Sequence, residues 1–451
     1  MKKLISGMKG HQMDYRVIIG LEVHVELKTK RKMFCNCPAD YFGQKPNSRT
    51  CPVCLGLPGA LPVANKKAIE WCVQIGMALS CSIPLFSKFD RKNYFYPDLA
   101  KGYQISQYDE PFCLKGNIDI NGKKFGITRV HMEEDTGKLT HEAIDGEKVS
   151  LIDFNRSGVP LVEIVTEPDF DNALDVKAYL QKLQQIVRYL GVSDADMEKG
   201  QMRLEPNISV SMDKNSKELP KYKVEVKNIN SFSFVEKAIN FEIERQLEIL
   251  KKGETPVQET RGWDETKQKT VSQRLKEEAN DYRYFPEPDI PPIRWTKDEI
   301  EKLKAEIPEL PNEKQTRFLK EFGLSDYDAE IITREISFAD YFEEAVKTGT
   351  IANISAKQIA NFIINRKTDI HETLPAKLIE DIKNATTVSD VNEDELRKVV
   401  KEVLSKNPKI KEDYDKGKTN SVQFALGQVM YIIKKKIDTK VLADLIMEEL
   451  K

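Results

Sequence analysis

The chain is poor in the groups from which hydrolytic and phosphate-loop sites are usually built. Only 5 of its 451 residues are histidine, and neither a Gly-x-Ser-x-Gly elbow nor an obvious Cys–His nucleophile is present, which argues against the common covalent hydrolases. No Gly-x-x-x-x-Gly-Lys-Ser/Thr occurs, and no Gly-x-Gly-x-x-Gly follows a strand. A nucleoside triphosphate bound here must therefore be held by metal and scattered cations. No segment approaches 18 consecutive apolar residues, which excludes a membrane-spanning helix. An apolar, small-residue leader is also missing, since Met1-Lys2-Lys3 runs into Gly7, Gly10 and Asp14; a reducing, cytoplasmic setting is expected. Charge of one sign is lacking as well: 70 Lys and Arg stand against 72 Asp and Glu, a formal −2. Any nucleic-acid partner must be met by local basic patches and not by the field of the whole chain. There is no internal repeat and no low-complexity segment.

Among what is present, four cysteines stand out. Cys35-Asn36-Cys37 is followed, after 13 residues, by Cys51-Pro52-Val53-Cys54, the spacing of two chelating knuckles that close on one tetrahedral zinc ion. Ordinary buried thiols or two disulfides are the alternatives, and the reducing setting weighs against disulfides. Cys72, Cys81 and Cys113 have no paired spacing and read as small apolar filler.

A chain of this length calls for two or three domains. From about residue 15 to 290 the pattern is α+β. In Ile19–Leu27 the odd positions are apolar, so Glu22, His24 and Glu26 share the opposite face of a strand. Phe125–Asp135 and Leu161–Glu167 read as further strands, Asn65–Leu79 and Asn172–Leu190 as helices. The proline-rich run 285–292 can continue neither a helix nor a central strand, and directly after it Thr296-Lys297-Asp298-Glu299 is a capping box that opens a helical region. A softer boundary lies near Asn384–Asn392. The expected organisation is an extension over 1–14, an α+β domain over 15–293 carrying the cysteine loop 35–54, a helical domain over 294–388 and a small helical tail over 389–451.

The most suggestive constellation is Glu22, His24, Glu134 and Glu163. Several carboxylates on one sheet face are costly unless a cation compensates them, and Mg²⁺ is the natural occupant; a strand face turned to water would explain them as well. Lys88–Asp98 and Lys101–Gln107 interleave cations with aromatic rings, which suits phosphate contact and stacking on a nucleotide or RNA end, or an ordinary exposed hairpin. The segment 280–286 has the same ambiguity. Lys398–Lys440 holds 11 lysines against 5 acidic residues, and Lys416-Gly417-Lys418 could meet a phosphate chain or simply be solvated.

In order along nearly the whole chain, Gly20-Leu21-Glu22-Val23-His24-Val25-Glu26-Leu27, Lys88-Phe89-Asp90-Arg91-Lys92-Asn93-Tyr94-Phe95-Tyr96-Pro97-Asp98, His131-Met132-Glu133-Glu134-Asp135, Glu225-Val226-Lys227-Asn228-Ile229-Asn230-Ser231-Phe232 and Asp281-Tyr282-Arg283-Tyr284-Phe285-Pro286-Glu287-Pro288-Asp289 resemble the B subunit family of bacterial aspartyl/glutamyl-tRNA amidotransferases. The resemblance implies a cradle-like catalytic domain with a mixed sheet, a helical domain and a tail that grips the outer corner of tRNA. It implies a heterotrimer with an amidase A subunit and a small C subunit. In such a complex Mg-ATP phosphorylates the side-chain carboxylate of Glu on tRNA(Gln), or Asp on tRNA(Asn), and glutamine-derived ammonia displaces the phosphate.

Carried over by motif, Glu22, His24, Glu134 and Glu163 are the magnesium and kinase cluster, and Lys92 and Arg91 neutralise the transferring phosphoryl group. Tyr94, Tyr96, Tyr103 and Gln104 shape the pocket for the aminoacylated tRNA end. Lys416, Lys418 and Gln428 belong to the tRNA-binding tail, and Cys35, Cys37, Cys51 and Cys54 hold structural zinc. Two stretches depart from the family's pattern. Arg203-Leu204-Glu205-Pro206-Asn207 replaces the commoner Arg-Cys-Asp-Ala-Asn, with Glu205 keeping the charge on a longer arm, and Lys434–Lys440 replaces a Gly/Ala/Asn/Pro mix. A reading of a different class is a non-catalytic, zinc-stabilised tRNA-binding module.

Overall fold

The computed structural model describes residues 15–275, 282–366, 368–386, 393–416, 420–433 and 439–450. They fall into two compact units, divided between Glu313 and Lys314. Along the first run β1 (Arg16–Glu26), β2 (Phe86–Ser87), β3 (Asp90–Asn93), β4 (Tyr103–Ser106), β5 (Cys113–Ile120), β6 (Lys123–Glu134), β7 (Lys138–Ile144), β8 (Glu147–Asp153), β9 (Pro160–Thr166), β10 (Met202–Ser211), β11 (Val224–Lys227), β12 (Glu259–Asp264), β13 (Lys269–Leu275), β14 (Phe285–Pro286) and β15 (Ile293–Arg294). Four helices join them: α1 (Lys66–Ala78), α2 (Ala173–Tyr189), α3 (Phe232–Lys251) and α4 (Lys297–Ala305).

The main sheet has the order β13-β12-β11-β10-β1-β9-β6-β5. Its pairs are antiparallel except β11 with β12, which run parallel with α3 as the crossover between them. The sheet is mixed and the unit is α+β, as the alternation in the sequence implies. Its inner face is apolar: Leu21, Val23 and Val25 from β1 meet Val162 and Ile164 from β9 and pack beneath the helices. α2 forms because Val176, Leu180, Leu183 and Val187 recur at helical spacing, and Asn172 caps its first turn by accepting from the Asp175 amide at 2.8 Å.

α4 begins with the expected capping box on Thr296 and Glu299. It rests on the first unit, however: Leu303 joins the sheet's core, and Gln74 of α1 donates to the Leu303 carbonyl. The sequence boundary at 293/294 therefore falls inside this unit, because one buried leucine suffices to dock a short helix. The second unit is helical, with α5 (Pro311–Phe322), α6 (Asp326–Ile332), α7 (Ile336–Ile351), α8 (Ala356–Arg366), α9 (Pro375–Thr386), α10 (Glu393–Lys406), α11 (Lys409–Asp415), α12 (Asn420–Ile433) and α13 (Thr439–Leu450). It contains two separate apolar cores, one around Phe318, Phe342 and Ile359, the other around Val400, Val429 and Leu442. Residues 387–392, where the second boundary is expected, lie outside the described set, as do 1–14, Asp281, Gly417, Lys418, Thr419 and 434–438. Among the described residues no helix is long and apolar enough to cross a membrane.

Candidate active site

The outer face of the main sheet is a grid of charge. Strand alternation turns Glu22, His24 and Glu26 away from the core, and register sets each against a partner on both sides. One row crosses four strands as His131, Glu163, His24 and Arg203; the next runs Arg129, Val165, Glu22 and Glu205; a third runs Glu133, Leu161 and Glu26. Rows are two residues apart along each strand, or about 7 Å.

Glu163 is the hub. Its carboxylate lies 3.1 Å from His131 Nε2 and 3.6 Å from His24 Nε2. Burial pulls His24 toward neutrality, but the Glu163 carboxylate prevails and lifts it to about 9. Glu163 itself, against its burial, is held well below the usual carboxylate range by His131 and His24. Glu133 receives the Ser106 hydroxyl at 2.7 Å and the Gln104 amide at 3.1 Å, with Lys92 Nζ at 3.7 Å. Although burial opposes ionisation, Lys92 and His131 hold Glu133 down to about 2. One donor atom each from His24, Glu133 and Glu163 lies within 4.8 Å of the others, and the same holds for Glu22, Glu205 and Glu225. In the second set, burial and then the neighbouring carboxylates Glu163, Glu205 and Glu225 raise Glu22, while Lys227 sits 2.9 Å from Glu205 and 3.5 Å from Glu225.

These donors fit a hard divalent cation. Nδ1 of His24 and of His131 and Oδ1 of Asn207 are buried without a hydrogen-bond partner, and Asn207 Nδ2 donates to Glu22 at 3.0 Å, placing the orphaned oxygen beside the second set. Carboxylates, an amide oxygen and one imidazole suit magnesium better than a thiol-seeking metal.

The structure divides the constellation expected from sequence. Glu22, His24 and Glu163 share the outer face, but Glu134 lies on the other one. Its carboxylate takes Lys101 Nζ at 2.6 Å and the Ile105 amide at 3.0 Å, in a cavity of about 260 Å³ also lined by Cys54, Gly56 and Gly158. Glu133 occupies the place assigned to Glu134. The cause is a bulge in β6 between Ile127 and Arg129: Phe125 and Ile127 face the core before it, Val130 and Met132 after it. Lys92 points at Glu133, whereas Arg91 makes a bidentate pair with Glu287 at 2.7 and 2.9 Å and lies 4.2 Å over the Tyr103 ring. Arg91 thus pins the β14 segment and is not brought to the acid cluster. Tyr94 donates to Gln104 at 3.2 Å, Gln104 is buried between Glu133 and the Glu134 carbonyl, and Tyr96 is exposed.

The four cysteines of the loop bring their sulfurs within 4.8 Å of one another, and none forms a disulfide. Fully buried Lys32 approaches Cys54 Sγ at 3.7 Å and donates to the carbonyls of Arg49 and Phe154. In the second unit Lys416 ends α11, and Gln428 is exposed on α12 beside Phe424 and Tyr431.

Residues 17–301 match the family model described as the GatB/GatE catalytic domain, and 327–450 the one described as the GatB domain. The B subunit of the aspartyl/glutamyl-tRNA(Asn/Gln) amidotransferase of Caldicellulosiruptor saccharolyticus is 45% identical over 483 residues, covering 97% of this chain and 99% of its own. That of Thermodesulfovibrio yellowstonii is 45% identical over 480 residues (97% and 100%), and that of Thermomicrobium roseum 44% over 467 (92% and 95%). The chain belongs to the GatB family. Within this GatB chain, reading by motif missed His131, Glu133, Glu205 and Glu225. Parity offered one signal: Val130, Met132 and Glu134 share a period of two, so Glu134 is set with the apolar face and Glu133 against it.

Proposed function

We propose that this chain is the carboxylate-activating subunit of a cytoplasmic tRNA-dependent amidotransferase, acting with an amidase A subunit and a small C subunit on Glu-tRNA(Gln), Asp-tRNA(Asn) or both. The observation that carries the reading is the row His131–Glu163–His24 with Glu133 and Lys92 above it. An unactivated carboxylate is a poor acyl donor. Transfer of the γ-phosphoryl group of ATP to the side-chain carboxylate gives an acyl phosphate and ADP, and ammonia then attacks the carbonyl carbon while inorganic phosphate leaves. His24, Glu133 and Glu163, and separately Glu22, Glu205 and Glu225, would hold Mg²⁺, whose chemistry there is to neutralise phosphate oxygens. Lys92, kept protonated despite burial by the Glu133 carboxylate, offers a preorganised positive charge to the phosphoryl group in transit. Gln104 and Ser106 donate to the Glu133 carboxylate and fix its orientation.

Zinc in the cysteine loop is structural in this reading, and the tail supplies tRNA affinity. The trimer, assayed with each misacylated tRNA, ATP and glutamine, is expected to amidate at least one of them only when ATP is present. ATP-independent amidation, or none with either tRNA, defeats the proposal. Removal of the residues after Asn384, which carry the lysine excess, is expected to weaken tRNA binding and flatten its salt dependence by about one log unit per log of salt for each phosphate no longer neutralised. Equal affinity in filter binding at two salt concentrations would take the tail out of tRNA recognition.

A further inference from the structure

Beside the acid cluster stands a ladder of four tyrosines. Tyr94 meets Tyr282 edge-on with centroids 5.9 Å apart, Tyr282 meets Tyr284 at 6.0 Å and 71°, and Tyr284 lies flat on Tyr108 at 4.3 Å and 10°. Lys92 Nζ sits 5.1 Å over the Tyr282 ring, so the ladder borders the residues that face the phosphoryl group. Its geometry is enforced. Asn93 donates its backbone and side-chain N–H groups to the carbonyls of Tyr282 and Arg283, and Arg283 between the two rings holds a left-handed φ of 41°, a conformation that non-glycine residues adopt at a cost and that clusters at ligand sites. Tyr108 is anchored by its amide to Asp90 Oδ2 at 3.0 Å, yet the residue is left 52% exposed. A parallel tyrosine pair with one open rung offers a ready surface for a flat aromatic guest.

A second, independent feature lies on the same sheet face. Arg129 stands two residues before His131 on β6, about 7 Å along the strand. Its register partner across β9 is the uncharged Val165. Among the described residues it has no ion pair, and its Nε is buried without an acceptor. Burial raises the Tyr284 hydroxyl to about 12, and Lys92, Glu133, Glu163 and Arg129 all act on it electrostatically, so the ring is within reach of both the cluster and this guanidinium. An unpaired guanidinium fork at that place is suited to a phosphate.

We propose that the Tyr108–Tyr284 stack is a platform for a purine base, and that Arg129 takes a phosphate of the same nucleotide, at the margin of the acid cluster. The assignment rests on the proposed amidotransferase function. Adenine reaches such a site from two sources, ATP and the 3′-terminal adenosine of the aminoacylated tRNA. Stacking tolerates either, because it reads the π-face.

Tyr108→Leu in the assembled trimer removes the ring from an exposed position, and Tyr108→Phe keeps it. Loss of one stacked base is expected to raise the KM of the nucleotide concerned by about 5- to 150-fold with kcat little changed, and Tyr108→Phe to restore it. A rise in the KM for ATP assigns the base to ATP, and a rise in the KM for aminoacyl-tRNA assigns it to the RNA end. Arg129→Gln should raise the same KM. Both KM values within twofold of wild type in Tyr108→Leu overturn the platform, and an unchanged KM in Arg129→Gln overturns the phosphate contact. Equilibrium binding of a fluorescent ATP analogue and of a 3′-terminal RNA oligonucleotide to the same complexes separates the two levels. A wild-type trimer that does not amidate tRNA defeats the function, whereas an active one whose Tyr108→Leu variant binds both probes normally defeats only the platform.

Discussion

Glu163→Gln is expected to leave a trimer that binds aminoacyl-tRNA with unchanged affinity but amidates it at least about 100-fold more slowly, the scale of losing one preorganised charge at a reacting centre. The substitution keeps the shape of the side chain and removes the one charge that both His131 and His24 face, at 3.1 and 3.6 Å. It leaves Glu133 alone to neutralise a cation and leaves two buried imidazoles without their common partner. Some stability must go with it, about 3–5 kcal/mol if the buried pair behaves like others from which one member is deleted, so melting and tRNA binding accompany the assay. A separate signature comes from the metal-free protein. With its folded pKa raised to about 9, His24 contributes stability that is fully present below its ordinary value near 6.5 and is lost as pH rises through 9. Chelated wild type should therefore lose stability between those limits, and Glu163→Gln should not. Transamidation within tenfold of wild type in Glu163→Gln would remove Glu163 from the reaction.

Removing zinc should act more locally, yet still reach the chemistry. Between the end of β1 and the start of α1 the chain has no regular strand or helix longer than a bridge, so zinc held by the four cysteines, as proposed, would be the main covalent tie across it. The loop is tied to the active face by short steps. Met33 N–H donates to the Gly158 carbonyl at 2.7 Å, Ser157 Oγ to the Cys54 carbonyl at 3.0 Å, and Gly158 N–H to the Asp135 carbonyl at 2.8 Å. Asp135 in turn takes Arg203 at 2.8 Å, in the row of His24. Cys37→Ser with Cys51→Ser is expected to abolish zinc retention, open the segment 36–50 to protease, and lower transamidation by about tenfold through misplacement of that turn, as small displacements at a distance do. The main core, buried elsewhere, should keep the domain folded. Metal analysis of purified wild type that returns no zinc, with four titratable thiols in the loop, would end the assignment.

The alternation of β1 was readable in the sequence, and with it the outward placing of Glu22 and His24, because a period of two needs no knowledge of partners. Glu163 had no such alternation, since Leu161 and Val165 on its own face are apolar too; it stood out as the single acid in an apolar strand. What lay beyond reading was whatever the fold joins from afar. The motif sets Arg91 beside Lys92 as a phosphate ligand, but its partner is Glu287, 196 residues further on, and nothing local announces that pair. Glu205 and Glu225 sit on strands whose meeting with Glu22 is set by sheet order alone. Parity after Val130 separates Glu133 from Glu134 locally, but the β6 bulge between Ile127 and Arg129 reverses parity midway along the strand and hides which face continues from Phe125 and Ile127. The docking of α4 was equally hidden, since its capping box marks where a helix starts and says nothing of what it will lean on.

The sheet order also sets a timetable for synthesis. β1 is made first but lies in the middle, and its neighbours β9 and β10 begin at Pro160 and Met202. A growing chain must carry an apolar central strand without partners while well over a hundred further residues emerge, the kind of non-local pairing that folds slowly and leaves edges exposed. Nascent chains stopped before residue 160 are thus expected to be sticky and to lack the acid cluster altogether, however complete their first motif.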